Sequence, residues 1–548
     1  MRRTRSPDMG LLAHRFAPWA LLLLALLSFG VGLAELPVQD RDEARFAQAA
    51  RQMADTGDLI DIRLLDQPRH NKPALIYWLQ TTAQWVTGAE GNTPIWVHRL
   101  PSYLAGVLSV LALFWAARPL LGRRGALLAG IMCATIYMMH SEARTAKTDA
   151  ALLLSVILAM GALGRVWLDQ AKGWVTPAIF WTALAAGFLL KGPMVALPVV
   201  GAIAWCGWHG RSLGWLARLK PLVGGLWFLA LSAPWFIAIT LVTDGAFWSG
   251  SVGGDLTDKV LASGEHSGSL PGQYLLTTWF TYWPWTLLIP LALVYGWTTR
   301  KTPETAFTLG WLIPGWLVFE AVPVKLIHYT LPLYPALMIL CAGAVVQMLD
   351  GKRAFRGWPA WIGSAGFALG AVLMAGLMVA FPVVYGPGVD GLSVVGAAVT
   401  LAAAVAALVA FWRMKVLQGM GALALAGTVM GWTLTAASLP AARDLWIAPQ
   451  LADAMAAHEC LAGPIALVGY QEPSAAFLLG GDVTLMDEDG ALAYLSEDEN
   501  RAAWIPTDEA GGVIGVTEIR GVNSANFRDV ALRLWVSPGV PAPESPCD

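Results

Sequence analysis

The chain has 548 residues, a mean hydropathy of +0.56 and only 14% charged residues. Its 36 basic and 38 acidic side chains leave a formal net charge of −2. These values exclude an ordinary soluble globular protein and define a polytopic membrane protein.

A membrane span needs about 20 mostly apolar residues. That ruler gives thirteen candidates, near 17–36, 97–117, 124–140, 149–168, 175–190, 193–209, 219–241, 273–297, 304–319, 331–349, 358–381, 392–412 and 417–437. The pair 175–190 and 193–209 is short in each member. With the N-terminus cytoplasmic, every cytoplasmic loop holds at least one Lys or Arg, as the positive-inside bias expects. Merging 175–209 into one span would turn Arg211, Arg300, Arg353 and Arg413 outward, which favours the odd count. The first stretch follows Arg2, Arg3 and Arg5, and no small-x-small cleavage site precedes a mature soluble domain, so it reads as a signal anchor.

The first outer loop, roughly 37–96, holds seven basic residues from Arg41 to Arg99. The positive-inside bias does not predict this excess, and it reads as functional. From Glu43 to Ala54, Phe46, Ala50, Met53 and Ala54 share one face, with Arg45, Gln48, Arg51 and Gln52 opposite. This is the pattern of an amphipathic helix lying in the interface, ended by Thr56-Gly57-Asp58. A second helix is expected from Pro73 to about Val86, with Tyr77, Trp78 and Trp85 at headgroup level. The two helices frame a cavity, with Asp42 opening one and Lys72 the other. Further along, the Gly-, Ser- and Asp-rich loop 242–272 reads either as a lid over the site or as plain loop.

Residues Ala441–Asp548 hold five basic and seventeen acidic residues, a net of −12. This tail should lie outside the membrane as a small soluble α/β domain, with strands at Ile465–Gly469 and Gly512–Val516 and helices at 473–480 and 524–534. Its acidity argues for solubility and against nucleic acid. Cys133, Cys206 and Cys341 fall in spans and read as small apolar residues. Cys460 and Cys547 fall in the tail, where an oxidising compartment would permit a disulfide without requiring one. The expected division is residues 1–440 for the membrane domain and 441–548 for the soluble domain.

Ionisable residues gather where outer loops meet hydrocarbon: Asp42, Glu43, Lys72, Arg144, Lys147, Asp149, Lys191, Glu265, His266, Lys325 and His328. Charge beside hydrocarbon is costly and persists mainly around a polar cavity. Several of these residues carry a resemblance. Arg41-Asp42-Glu43-Ala44-Arg45-Phe46, followed by Asn71-Lys72-Pro73-Ala74-Leu75-Ile76-Tyr77-Trp78, is similar to the first periplasmic loop of bacterial aminoarabinose (lipid A) transferases. The likeness continues through Thr145-Ala146-Lys147-Thr148-Asp149-Ala150, Lys191-Gly192-Pro193 and Lys325-Leu326-Ile327-His328-Tyr329-Thr330-Leu331-Pro332. That family sits within the polyprenyl-phosphate-mannose protein mannosyltransferase superfamily. The resemblance implies an all-α GT-C fold of about thirteen spans, with interfacial helices in the first outer loop and an outer C-terminal domain. It also implies a bacterial inner-membrane glycosyltransferase, N-terminus cytoplasmic and C-terminal domain periplasmic. The donor would be a sugar on polyprenyl phosphate and the acceptor lipid A or another surface glycan, with inversion at the anomeric carbon.

Such a transfer needs a base near the acceptor hydroxyl and cations aimed at the departing lipid phosphate. Asp42 matches the aspartate of the family's Asp-Glu motif and is the candidate base; the competing reading is an N-cap. Glu43 reads as a first-turn residue favouring the helix N-terminus. Lys72 is the leading phosphate ligand, against a snorkelling interface lysine. Arg45, Arg144, Lys191, Lys325 and His328 are further candidates for the phosphate or headgroup. Asp149 reads as a cap or as a partner of Arg144 or Lys147. Where the family usually has Glu-Lys-Pro, this chain has Asn71-Lys72-Pro73. That glutamate is associated with a metal in the family, so its loss puts a divalent metal cofactor in doubt; His70, Glu265 and His266 are the weak replacements.

Two other readings remain. The acceptor could be a protein, or the chain could be a flippase for lipid-linked sugar. Transporters tend to carry inverted repeats and midplane polar residues, whereas here no repeat is evident and the ionisable residues favour one face.

Overall fold

The computed structural model describes residues 15–89, 91, 93–256, 271–457, 464–480, 483–497, 501–507, 517–524 and 526–536. Among them, eight helices are long and apolar enough to cross a membrane, and two shorter apolar helices, Ala17–Gly30 and Trp285–Thr299, join them. Two of the eight are broken. Ile95–Thr135 leaves helical geometry at Gly122, whose positive φ of 69° few other residues accept. Val175–Gly210 breaks after Lys191, where Gly192 has a φ of 59°. There a Cβ on Gly187 would meet the side chain of Val195 at 2.5 Å. A continuous helix would hold residues eight apart at about 12 Å, so the chain reverses at that point. With both breaks, each of the thirteen apolar stretches overlaps a helical segment, although 31–36 and 282–284 lie in turns. The chain is a multi-span membrane protein.

The first loop contains the two expected helices, Asp42–Thr56 and Leu75–Thr87, each closed by a left-handed glycine, Gly57 and Gly88. They pack through Phe46 and Tyr77, ring centroids 5.3 Å apart. One feature differs from the amphipathic expectation. Gln48 and Arg51, on the polar face of the first helix, are 4% and 3% exposed. Arg51 donates to the Phe477 carbonyl (2.8 Å) and stacks on its ring at 4.5 Å. Arg51 on the polar face therefore binds the C-terminal domain, while Gln52 bonds the Leu65 carbonyl within the loop.

After a first-loop hairpin of β1 (Arg63–Leu64) and β2 (Gln67–Pro68), the C-terminal domain supplies β3 (Ile465–Leu467), β4 (Val483–Leu485), β5 (Ala502–Pro506), β6 (Glu518–Val522) and β7 (Asp529–Val536), which form a five-stranded sheet in the order β4-β3-β5-β7-β6. Strands β3, β4 and β5 are parallel; β7 runs antiparallel to β5 and to β6. The helix Pro473–Leu478 falls where expected. The helix expected over 524–534 is overturned, because residues from Asp529 onward form β7. Val530, Leu532, Leu534 and Val536 repeat every second residue and fill one side of the sheet, while Trp535 fills the other. The Gly512–Val516 segment, Cys460 and Cys547 lie outside the described residues.

One buried ion pair fixes the first loop. Glu43 and Arg99 side chains are both 0% exposed, with Nη2 to Oε2 at 2.7 Å and Nε to Oε1 at 2.8 Å. The Arg99 guanidinium also donates to the carbonyls of Leu33, Leu36 and Pro37. Glu43 further accepts from the backbone N–H groups of Gln39 and Ala146, each at 2.9 Å. Removing one partner of such a pair strands a buried charge and costs about 3–5 kcal/mol. Arg99→Ala should therefore lower the melting temperature in detergent sharply. Arg63→Ala, which breaks the exposed Arg63–Asp61 pair, should cost under about 1 kcal/mol; equal shifts would remove the central role given to Arg99.

Candidate functional site

The site is built where the first-loop helix begins. Its N-cap is Arg41, without a side-chain capping bond, and Asp42 is the first helical residue. Asp42 therefore does not serve as the cap, and its side chain is 56% exposed, 4.0 Å from the Arg45 guanidinium. The adjacent Glu43 is turned inward onto Arg99, so the two neighbouring carboxylates face opposite environments. Burial and the nearby Arg69 lower the pKa of Arg45, while Asp42 and Glu472 oppose that shift.

A second cluster adjoins the first. Lys191 reaches Asp149 at 2.6 Å, and His328 Nε2 lies 3.9 Å from the same carboxylate. Lys147 pairs with Glu142 at 3.0 Å. Burial raises the Glu142 carboxyl to about 7, against the pull of Lys147. Burial opposes protonation of Lys147 too, yet Glu142 and Asp149 hold it above the ordinary lysine range. Asp42 also acts electrostatically on both Lys147 and His328. The loop from residue 142 to 149, the 191 break and the 328 turn thus meet beside the first-loop helix. Asp149 is partnered by Lys191 and His328, rather than by Arg144.

Lys72 is half-buried at the start of the second first-loop helix, with Nζ 3.3 Å from the Asn71 carbonyl. Close by, Arg69 donates to the Tyr77 hydroxyl at 2.9 Å and lies over the Phe46 ring. Lys325 is buried. Arg144 is placed differently. Its guanidinium donates to the carbonyls of Ser28, Val31 and His140 and to His140 Nδ1. It thereby satisfies carbonyls at the end of the Ala17–Gly30 helix, which would otherwise lack partners. Its bonds are those of a structural tie.

His70 Nε2 lies 2.9 Å from Asp61. Glu265 and His266 lie outside the described residues, as does the 257–270 part of the Gly- and Ser-rich loop. Among the described residues, no three His, Cys, Asp or Glu side chains converge as a metal would require. His70 and Asp61 supply two donors of suitable type, and Asn71 supplies no carboxylate.

Sequence reasoning did not select Arg69, Arg99 or Glu142. Arg99 carries the clearest signal, a charge just inside an apolar stretch. Glu142 is a lone acid among His140, Ser141 and Arg144, and nothing in its spacing marks it.

Comparison with known proteins places this geometry in a class. Residues 71–237 match the dolichyl-phosphate-mannose-protein mannosyltransferase family. The fold matches the crystal structure of ArnT from Cupriavidus metallidurans bound to undecaprenyl phosphate, with a TM-score of 0.73 and 19% identity over 95% of this chain and 98% of that one. The architecture is the GT-C fold, with a small C-terminal sheet domain. An undecaprenyl phosphate-alpha-4-amino-4-deoxy-L-arabinose arabinosyl transferase of Pectobacterium carotovorum is 30% identical over 402 residues, covering 69% of this chain and 68% of the relative. The enzyme of the same name from Aeromonas hydrophila is 31% identical over 352 residues, covering 62% of each chain. The chain belongs to the undecaprenyl phosphate-aminoarabinose arabinosyl transferase family. It spans about 62% of the length of the Aeromonas relatives.

The cluster predicts a pH response. Burial, the largest influence, lowers the His328 pKa to about 3; Asp149 pulls upward, and Lys147 and Lys191 push down. At 3.9 Å from Asp149 the ring is too far for a direct hydrogen bond, consistent with a neutral imidazole. A folded pKa below the unfolded value of about 6.5 gives a contribution complete above pH 6.5 and lost as pH falls toward 3. His328→Gln should therefore flatten the fall in melting temperature between pH 6.5 and pH 4. Parallel declines in variant and wild type would show that His328 is not held neutral.

Proposed function

We propose that this chain transfers a sugar from a polyprenyl-phosphate donor to lipid A or another surface glycan, with Asp42 as the base. The observation that carries this reading is the pair of adjacent carboxylates with divided duties. Glu43 is consumed by Arg99, whereas Asp42 is left exposed at the helix start, within reach of Arg45. The relatives' names specify an undecaprenyl-phosphate donor carrying 4-amino-4-deoxy-L-arabinose, and the same donor class is proposed here.

In the reaction, Asp42 takes the proton from the acceptor hydroxyl as its oxygen attacks the anomeric carbon. The bond to the lipid phosphate oxygen breaks on the opposite side, so the centre inverts. Lys72 and Arg45, with Lys325, Lys191 and His328 around them, bear on the growing phosphate charge. Of these, Lys191 is also ion-paired to Asp149 and His328 is held neutral by burial. Arg144 is assigned to holding the first span.

The working topology is an inner-membrane protein with a cytoplasmic N-terminus, and a membrane domain of residues 1–440 followed by a periplasmic domain of residues 441–548. Support comes from the distribution of basic residues between alternate loops.

Asp42→Asn should reduce transfer by about 10²–10⁴-fold, the span of general-base contributions, while undecaprenyl-phosphate binding stays within about twofold of wild type, since only uniform binding would move it. Purified protein in liposomes with labelled donor reads both quantities. Label on lipid A supports the proposal, label on protein moves the acceptor, and label crossing the bilayer without a covalent product replaces transfer by transport. Normal turnover by Asp42→Asn would remove the base assignment.

A further inference from the structure

The backbone just before Asp42 is strained. Arg41 has a φ of 62° and a ψ of −108°, a combination outside the left-handed helical well and suited to glycine. A non-glycine residue keeps such a conformation only when its surroundings hold it on both sides, and strain of this kind concentrates at functional sites. On the C-terminal side of Arg41, Glu43 is locked onto Arg99 and Ala146, and its bond from the Gln39 N–H closes the turn across Arg41.

On the N-terminal side stands Asp40, and its partners come from the opposite end of the chain. Tyr470 Oη lies 3.3 Å from each carboxylate oxygen. The hydroxyls of Ser474 and Ser524 donate to Oδ1 and Oδ2 respectively, the second at 2.9 Å. Burial raises the Asp40 carboxyl above its ordinary range, while the Ser474, Ser524 and Tyr470 hydrogen bonds pull it back. Tyr470 and Ser474 are themselves buried. Beside this contact, Glu472 accepts from Asn523 at 3.1 Å and acts electrostatically on Arg45. Arg51, three turns into the same helix, is bonded to the Phe477 carbonyl.

We propose that Asp40 is a positioning residue, through which the hydroxyls of the C-terminal domain hold Arg41 in its strained conformation and so aim the Asp42 carboxylate. This rests on reading Asp42 as the base. It makes the C-terminal domain a working part of the site rather than an appendage: the domain supplies one of the two clamps on a three-residue segment.

The test uses the full-length protein in detergent or liposomes, with two variants on opposite sides of the contact: Asp40→Asn, and the triple variant Tyr470→Phe, Ser474→Ala, Ser524→Ala. Both should speed amide exchange at residues 39–45 by about tenfold or more while leaving Leu75–Thr87 unchanged. Both should lower kcat by about 10²-fold, the scale of a 1 Å misplacement, with donor KM within about twofold. Arg41→Gly removes the need for holding, so Asp40→Asn should cost at least about tenfold less in that background, a coupling between neighbours. If the larger changes prevent folding, Ser524→Ala alone is tested on the same readouts. Unchanged exchange at 39–45, or an Asp40→Asn penalty identical with Arg or Gly at position 41, overturns the proposal. A loss of rate that follows a fall in folded fraction also overturns it. If the wild type transfers nothing, the base assignment fails on its own, and the exchange result still decides whether the C-terminal domain clamps the segment.

Discussion

The structure around the site depends on one buried carboxylate. Glu43 receives the Arg99 guanidinium and two backbone N–H groups, from Gln39 and Ala146. Arg99 in turn gathers the carbonyls of Leu33, Leu36 and Pro37. Three stretches of chain, the exit of the first span, the start of the first-loop helix and the loop before Asp149, are thereby held in one register. A buried charge is tolerable only when its lone pairs and protons are matched, and here they are. The exposed Asp42 stands next to this tie, and its backbone is anchored by it.

Around that tie the charges alternate. Glu142 with Lys147, and Asp149 with Lys191 and His328, form a nearly neutral bed under the site. Such pairing keeps ionisable groups near hydrocarbon without leaving them uncompensated. Arg45 lies on the first of the two first-loop helices that pack through Phe46 and Tyr77, and Lys72 lies three residues before the second.

Much of the scaffold was legible in the sequence, because spans are read from long apolar runs, and both interruptions carry their own signals. Gly122 precedes Arg123 and Arg124, and Gly192 follows Lys191. The first-loop helices were legible from the period of Phe46, Ala50 and Met53 and from Pro73. β7 carries a two-residue period in Val530, Leu532, Leu534 and Val536, but a window opened at Ser524 mixes it with the preceding turn. The fate of Arg51 and Gln48 was hidden: amphipathicity says which face is polar, not what covers it. In the site, Asp42 stood out by its motif, but Arg144 looked like a ligand because a sequence cannot show that its hydrogen bonds are already spent on carbonyls. The partition between Asp42 and Glu43 needed Arg99, 56 residues away, a pairing with no local signature.

The contact between the first loop and the C-terminal domain spans most of the polypeptide. Arg51 and Phe477 are 426 positions apart, and Asp40 and Ser524 are 484. A ribosome delivers the first loop long before its cover is synthesised. During that interval the polar face of the Asp42–Thr56 helix has only water and lipid headgroups for company, and the strained turn ahead of it has only one of its two restraints. Completion of this face therefore waits on the C-terminal domain: a nascent chain stalled before β7 would carry the Asp42–Thr56 helix with Arg51 still uncovered.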